Sequence, residues 1–262
     1  LSEEIIEEGS PVLIVIDRKR RFLIRVCKNK IFGTDKGYIK HDDIIGLPYG
    51  SYVRTSQGVK AYLLKPLHHD YLYGYKRITQ VIYPKDAGYM VYLSGIGPGS
   101  RVVEAGIGTG YLTTYLASIV GEHGRVYGYE IRKEYIEIAC ENLRLSGLID
   151  RVMIRHADIR EGIAERDVDA VFLDLPDPWN VVDHAYNALK SSHPIIIYVP
   201  TINQVEKSVL ALRRHGGFID IRAQEIILRN YIVEKNATRP EPFMVGHTGY
   251  IVYARKVSRD SL

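Results

Sequence analysis

From Arg101 onward, short runs of apolar and β-branched residues take turns with longer stretches whose apolar residues recur at helical spacing. "RVVEAGI" reads as a strand, "GYLTTYLASIVG" as a helix, "RVYGYEI" as a strand and "KEYIEIACENLRLSG" as a helix. The pattern continues with "VMIRHAD" and "VDAVFLDL" as strands and "VVDHAYNALKS" as a helix, then "PIIIYVP" as a strand and "INQVEKSVLALRRHG" as a helix. Apolar, β-branched strands alternating with helices call for a mostly parallel sheet covered on both faces. Two longer β segments, "FIDIRAQEIILRNYIVE" and "GYIVYARKV", are expected to pair as an antiparallel hairpin at the sheet's end. The expected fold is therefore α/β and Rossmann-like.

Residues 10 to 65 have a different grammar. "PVLIVIDRKRRFLIRV" gives two strands around a charged turn, and "SYVRTSQGVKAYLL" gives two more around Ser-Gln-Gly. With their glycine punctuation they predict a small barrel or sandwich. A chain of 262 residues suits one large domain with a small appendage, so the boundary is drawn between a β domain, 1–70, and a catalytic domain, 71–262. Arg18, Lys19, Arg20, Arg21, Arg25, Lys28 and Lys30 run through the first part. A solvated hairpin face and a contact with RNA phosphates explain them equally well.

Composition excludes several classes. The longest apolar runs, Val12–Ile16 and Pro194–Pro200, are far too short to span a bilayer. The start, "LSEEIIEEGS", lacks the basic-then-apolar layout of a signal peptide, so an intracellular, cytoplasmic protein is expected. Its first residue is Leu1, so an initiator methionine is expected to have been removed or the chain trimmed. Cys27 and Cys140 read as two reduced thiols, and the nine histidines show no metal-binding spacing, so no metal is expected. A net charge of +4 permits a nucleic-acid partner without identifying one. Twenty tyrosines against five phenylalanines supply many faces that could stack on bases or fill interfaces.

The chemistry concentrates at the strand ends. "VVEAGIGTGYLT" places Gly106, Gly108 and Gly110 in a turn between strand and helix. A dinucleotide fingerprint needs its third glycine at 111, which is Tyr, and this argues against a nicotinamide enzyme. Glu104 puts a carboxylate at the edge of the same strand. The next strand ends in Glu130, where an acid can accept both ribose hydroxyls, and the third in Asp158, placed for an adenine amine. A glycine turn, a Glu and an Asp on successive strand ends form the usual layout for S-adenosylmethionine. An acidic pocket also suits its sulfonium cation better than it suits a pyrophosphate.

The fourth strand runs into "DLPDPW", which resembles the Asp-Pro-Pro-aromatic motif of methyltransferases acting on base nitrogens. The prolines fix φ so that Asp174 and nearby carbonyls face the pocket. Trp179, the chain's one tryptophan, is expected in the core.

Taken together, "RITQVIYPKDAGYMV", "VVEAGIGTGYLT", "YEIR", "DLPDPW" and "HTGYIVYARK" resemble the tRNA adenine-58 N1-methyltransferase family over nearly the whole chain. Thr109 stands where many relatives have Ser. The resemblance implies a homotetramer of catalytic domains, each with a small N-terminal β domain. It also implies methyl transfer from S-adenosylmethionine to N1 of the adenosine at tRNA position 58, with position 57 a further target in archaeal relatives. On that reading Asp174 accepts a hydrogen bond from the exocyclic amine and takes a proton. Tyr83 and Tyr198 are candidates for stacking on an extruded base. Gln80, Thr79 and Lys85 shape a lid over the methionine moiety, while Thr109, Tyr111 and Leu112 complete the cofactor contacts. His247 and Thr248 read as a structural turn near the pocket. Two other classes compete: a methyltransferase acting on protein carboxylates, and a non-catalytic RNA-binding subunit that has lost its cofactor.

Overall fold

The computed structural model describes residues 4–76, 78 and 80–259. The chain divides into two compact units, Leu1–Arg77 with Glu141–Gly147, and Ile78–Cys140 with Leu148–Leu262.

In the first unit the apolar strand β1 (Pro11–Val15) pairs antiparallel with β2 (Arg21–Arg25). A hairpin, β3 (Ile31–Thr34) with β4 (Gly37–Lys40), follows. Then come β5 (Tyr52–Arg54) and β6 (Lys60–Leu64), and the main sheet has the order β2-β1-β6-β5. The expected strand pairs form, and among the described residues they give an open four-stranded sheet with the hairpin as a separate two-stranded one rather than a closed barrel. Its core is aliphatic, with Ile6, Val12, Ile14, Val26, Ile39, Ile44 and Leu63 buried together.

The second unit opens with a helix the sequence reading did not assign, α1 (Pro84–Ser94), with Pro84 at its first position. Pro there lacks only an N–H that would be unpaired anyway. Next come β7 (Arg101–Ala105), α2 (Tyr111–Val120), β8 (Arg125–Glu130), α3 (Lys133–Ser146) and β9 (Val152–His156). They are followed by β10 (Ala170–Leu173), α4 (Val182–Ala188), β11 (Pro194–Val199), α5 (Ile202–His215) and β12 (Phe218–Gln224). A two-stranded ribbon, β13 (Tyr231–Ile232) with β14 (Arg239–Pro240), precedes β15 (Tyr250–Lys256).

The main sheet has seven strands in the order β12-β15-β11-β10-β7-β8-β9. Strands β9, β8, β7, β10 and β11 are parallel, and β15 enters antiparallel between β11 and β12. The segment expected as one long strand from Phe218 stops at Gln224, which pairs with Ile251 near the start of β15. Beyond it the partner strand runs out, and Lys85 Nζ takes the Ile226 carbonyl at 2.6 Å.

Alternate residues of the strands face opposite layers. Val103, Ala105, Val171, Leu173, Ile195 and Ile197 pack with residues of α4 and α5, such as Ala185 and Leu212. Val102, Phe172, Ile196 and Ile251 pack with α1 and α2 through Met90, Leu116 and Val120. Because β8 and β9 lie to one side of β7 while β10 and β11 lie to the other, the order reverses between β7 and β10. Open α/β sheets bind ligands at that reversal, outside the strands' carboxyl ends.

Candidate active site

Two short loops leave the sheet at this reversal, one from β7 and one from β10. Gly106 has φ of 79°, and a Cβ there would come within 2.0 Å of the Asp174 carbonyl oxygen. Only glycine lets the two loops press together. Two clefts share Gly106 in their linings. One is bordered by Glu130, Ile131, Asp158, Arg160, Pro176 and Asp177, the other by Gln80, Ile82, Glu104, Gly108, Thr109, Tyr111, Leu112 and Asp174.

The four strand-end acids fall into two kinds. Glu130 is held by three backbone amides: Oε1 accepts from the Ile131 and Arg132 amides at 3.0 Å, and Oε2 from the Gly108 amide at 3.2 Å. Asp158 accepts from the Arg160 amide at 2.9 Å and from the Arg160 guanidinium at 2.7 Å, and that guanidinium holds its carboxyl below the usual range. Glu104 is the opposite case. It is 2% exposed, and its Oε2 has no hydrogen-bond partner. Burial pushes its carboxyl up to about 8, with Asp174 and Glu130 adding to the rise and the Thr113 hydroxyl offsetting part of it. Asp174, half-buried beside it in the same cleft, is pushed up to about 7 by desolvation alone. Buried carboxylates without a cation are costly, so this cleft favours a positively charged guest.

That donor set fits S-adenosylmethionine. The orphan oxygen of Glu104 and the carboxylate of Asp174 offer the negative charge a sulfonium and an ammonium require. Glu130, already oriented by three backbone amides, keeps lone pairs for ribose hydroxyls.

Other expected residues fall in several places. Gln80 lines the Glu104 cleft and is exposed, whereas Thr109, Tyr111 and Leu112 line it and are buried. Gly110 lines neither cleft: a Cβ on it would sit 3.2 Å from that of Ala139, so it packs the start of α2 against α3. Tyr83 lines neither cleft and sits half-buried just before α1. Tyr198 is only 7% exposed, its hydroxyl donating to Asp86 Oδ2 at 3.3 Å and its ring held against Gly249. Lys85 is no part of a lid over either cleft. Its ammonium donates to Asp86 at 2.8 Å and Thr248 Oγ1 at 2.7 Å, and Thr248 in turn donates to Asp86 at 2.7 Å. Thr79 lies outside the described residues. His247 bonds Glu225 at 2.7 Å and the Pro200 carbonyl at 2.8 Å, as a structural turn would.

Trp179 is half-buried rather than in the core, with the Lys207 ammonium 4.9 Å from its ring centre. The sequence reading missed Arg160, Ile131 and, as a pocket residue, Asp177; only their adjacency to Asp158, Glu130 and Asp174 could have flagged them. In the first unit, several of the basic residues have protein partners, Lys28 with Glu8 at 3.4 Å and Arg21 over the Tyr73 ring among them. Arg20 is tied to Asp17 and Asp35 at 2.6 and 2.7 Å, and Arg25 donates to the Gly9 carbonyl at 2.6 Å. Among the described residues, no group of His, Cys, Asp or Glu is placed to hold a metal ion.

A family model described as tRNA methyltransferase complex GCD14 subunit matches residues 61–239, and one described as TrmI-like N-terminal matches residues 6–53. The tRNA (adenine(57)-N(1)/adenine(58)-N(1))-methyltransferase TrmI of Methanocaldococcus jannaschii is 39% identical, with 93% of this chain and 94% of that one covered. The chain belongs to this family of tRNA methyltransferases. Among solved structures, a SAM-dependent O-methyltransferase of Thermotoga maritima aligns with a TM-score of 0.90 at 37% identity, covering 98% of this chain and 97% of that one. The tRNA (m1A58) methyltransferase TrmI of Aquifex aeolicus aligns with a TM-score of 0.82 at 29% identity, covering 97% and 100%. For this family member, the two glycine-joined clefts therefore form the candidate active site.

Proposed function

We propose that the chain transfers a methyl group from S-adenosylmethionine to N1 of adenosine 58 in the tRNA T-loop. The observation that carries this reading is the place of Asp174, a carboxyl lining the cleft where the β7 and β10 loops meet. S-adenosylmethionine, when bound, supplies an activated methyl group. Glu130 and Asp158 would hold its adenosine, and Glu104 its charged methionine end.

The protein's own work is orientation and charge. N1 of an unpaired adenine is already nucleophilic, so the site has to align it for in-line attack and manage the cation that forms. Asp174 as a carboxylate accepts a hydrogen bond from the exocyclic amine, stabilises the developing charge and takes a proton afterwards. A carboxyl near pH 7 is suited to that exchange. The target must leave its stack inside folded tRNA before it can reach the cleft. Tyr83, more exposed than Tyr198, is the better placed of the two to meet it.

The test is transfer of labelled methyl to unmodified tRNA, with the product nucleoside identified and mapped. 1-Methyladenosine at position 58, lost in Asp174→Ala, supports the reading; labelling at 57 as well would extend it to the pair of positions in the Methanocaldococcus relative's name. Labelled protein and unlabelled tRNA would instead favour an oxygen acceptor, the reading raised by the Thermotoga structure's description.

Self-association into a homotetramer belongs to the same reading. The ribbon region supports it, since Ile227, Val233 and Phe243 are 64%, 80% and 90% exposed. Sedimentation should report four chains. Among the described residues, no helix is long and apolar enough to cross a membrane, and a tRNA substrate implies a cytoplasmic place.

A further inference from the structure

The Asp158 carboxylate is not idle before a ligand arrives. Arg160 donates to it from its backbone amide and, through Nε and Nη2, from one edge of its fork, at 2.7 to 3.0 Å. The remaining arm of the same guanidinium, Nη1, donates to Asp177 Oδ2 at 3.1 Å. Asp177 also accepts from Asn180 Nδ2 at 3.0 Å. One planar cation thus joins the loop after β9 to the loop after β10, and Arg160 and both of its carboxylate partners line one cleft.

We propose that Arg160 is a positioning residue that couples occupation of the adenosine cleft to the setting of the acceptor loop; this rests on the function proposed above. An adenine amine and the Arg160 fork draw on the same two oxygens of Asp158, which offer about four acceptor positions in all. Filling the cleft therefore shifts the guanidinium's attachment from Asp158 toward Asp177. Asp177 is three residues from Asp174, and Pro176 and Pro178 stiffen the connection, so the shift reaches the working carboxylate with little slack. The far side of this loop is fixed as well, since Gln204 Nε2 donates to the Pro176 carbonyl at 2.9 Å. A loop pinned on one side and adjusted on the other can respond to the cofactor without moving as a whole. Lysine cannot replace this residue, because a point charge does not bridge two carboxylates through a fixed fork.

The direct readout is the ratio of tRNA affinities with and without saturating S-adenosylhomocysteine. Coupling between two sites is typically 5- to 150-fold. The unaltered protein should show a ratio of about 5 or more, with cofactor tightening tRNA. In Arg160→Ala and Arg160→Lys the ratio should fall to about 1 while folding, judged by thermal melting, is kept. Asp177→Asn should give the same loss, and combining it with Arg160→Ala should add nothing further. A ratio in Arg160→Ala equal to that of the unaltered protein overturns the inference, as does strict additivity of the two substitutions. If Arg160→Ala melts early, Asp177→Asn alone decides. If the unaltered protein neither binds nor methylates tRNA, it is the proposed function that fails. If it methylates tRNA and the ratio is 1 throughout, only the coupling fails.

Discussion

The two ends of the crevice use the same residue types at the same sheet edge and treat them oppositely. At the adenosine end, Glu130 and Asp158 are surrounded by donors, so they are oriented before any ligand comes. At the methionine end, Glu104 is buried with an unpaired oxygen, and half-buried Asp174 is likewise raised by desolvation. One end is a finished mould for a neutral group. The other stores a deficit that only a cation can relieve, and this is how a fold can separate recognition from reactivity with four similar side chains.

The sharpest way to break this contrast is at its reactive side. Asp174→Ala should lower the rate of methyl transfer by on the order of 10²-fold or more while leaving cofactor affinity within a few fold, read by single-turnover kinetics and calorimetry. Equal loss of both would mean that Asp174 only shapes the cofactor site. Gly106→Ala attacks both ends at once. Left-handed backbone alone costs about 1–2 kcal/mol, and the added Cβ collides with the Asp174 carbonyl. Calorimetry should find a lower melting temperature and weakened cofactor binding together.

The stored deficit also has a pH signature. Folded Glu104 and Asp174 hold protons up to about pH 8 and 7, against ordinary values of 4.5 and 3.8. The folded chain then binds more protons than the unfolded one across that window, so these groups stabilise fully below about pH 4 and the benefit is lost as pH rises through 7 to 8. Without ligand, the melting temperature should decline from pH 5 to pH 9, and Glu104→Gln should flatten the decline. S-adenosylmethionine should offset it better than its uncharged-sulfur product. A melting curve indifferent to Glu104→Gln would remove the distinction between the two ends. The smallest effect is expected at the finished end, where Asp158→Asn should weaken cofactor binding about 10-fold, the order of one charge-assisted hydrogen bond, and leave the pH slope between 5 and 9 unchanged.

The legible part of this molecule is the part written along single segments. A strand, its glycine turn and the next helix are contiguous, so "VVEAGIGTGYLT" announces itself, and each strand-end acid sits where its own strand stops. The order of α/β elements carried the parallel sheet for the same reason. Helix α1 was missed because Pro84 and Gly88 look like loop residues, although proline is at home in a first turn. The cluster of Lys85, Asp86, Tyr198 and Thr248 was illegible because its members come from three distant segments, joined only once β15 has docked beside β11. Trp179 was expected inside because it is apolar and large, but a lysine covers its ring at the surface. The Arg160 bridge is a contact between two loops, and side-chain reach does not appear in spacing.

The place of β15 gives the molecule a direction in time. This strand follows every other strand among the described residues and yet occupies an interior position, between β11 and β12, with Ile251, Val252, Tyr253 and Ala254 buried. A ribosome delivers it after both of its neighbours, so β11 and β12 must wait with open edges until it arrives. Thr248, which joins the Lys85–Asp86 pair, arrives with the same segment. A nascent chain can therefore assemble the cofactor loops early, but it cannot close its sheet or complete that buried pair until translation has passed them, so an incomplete product is left unfinished at its centre and recognisable by its unpaired edges.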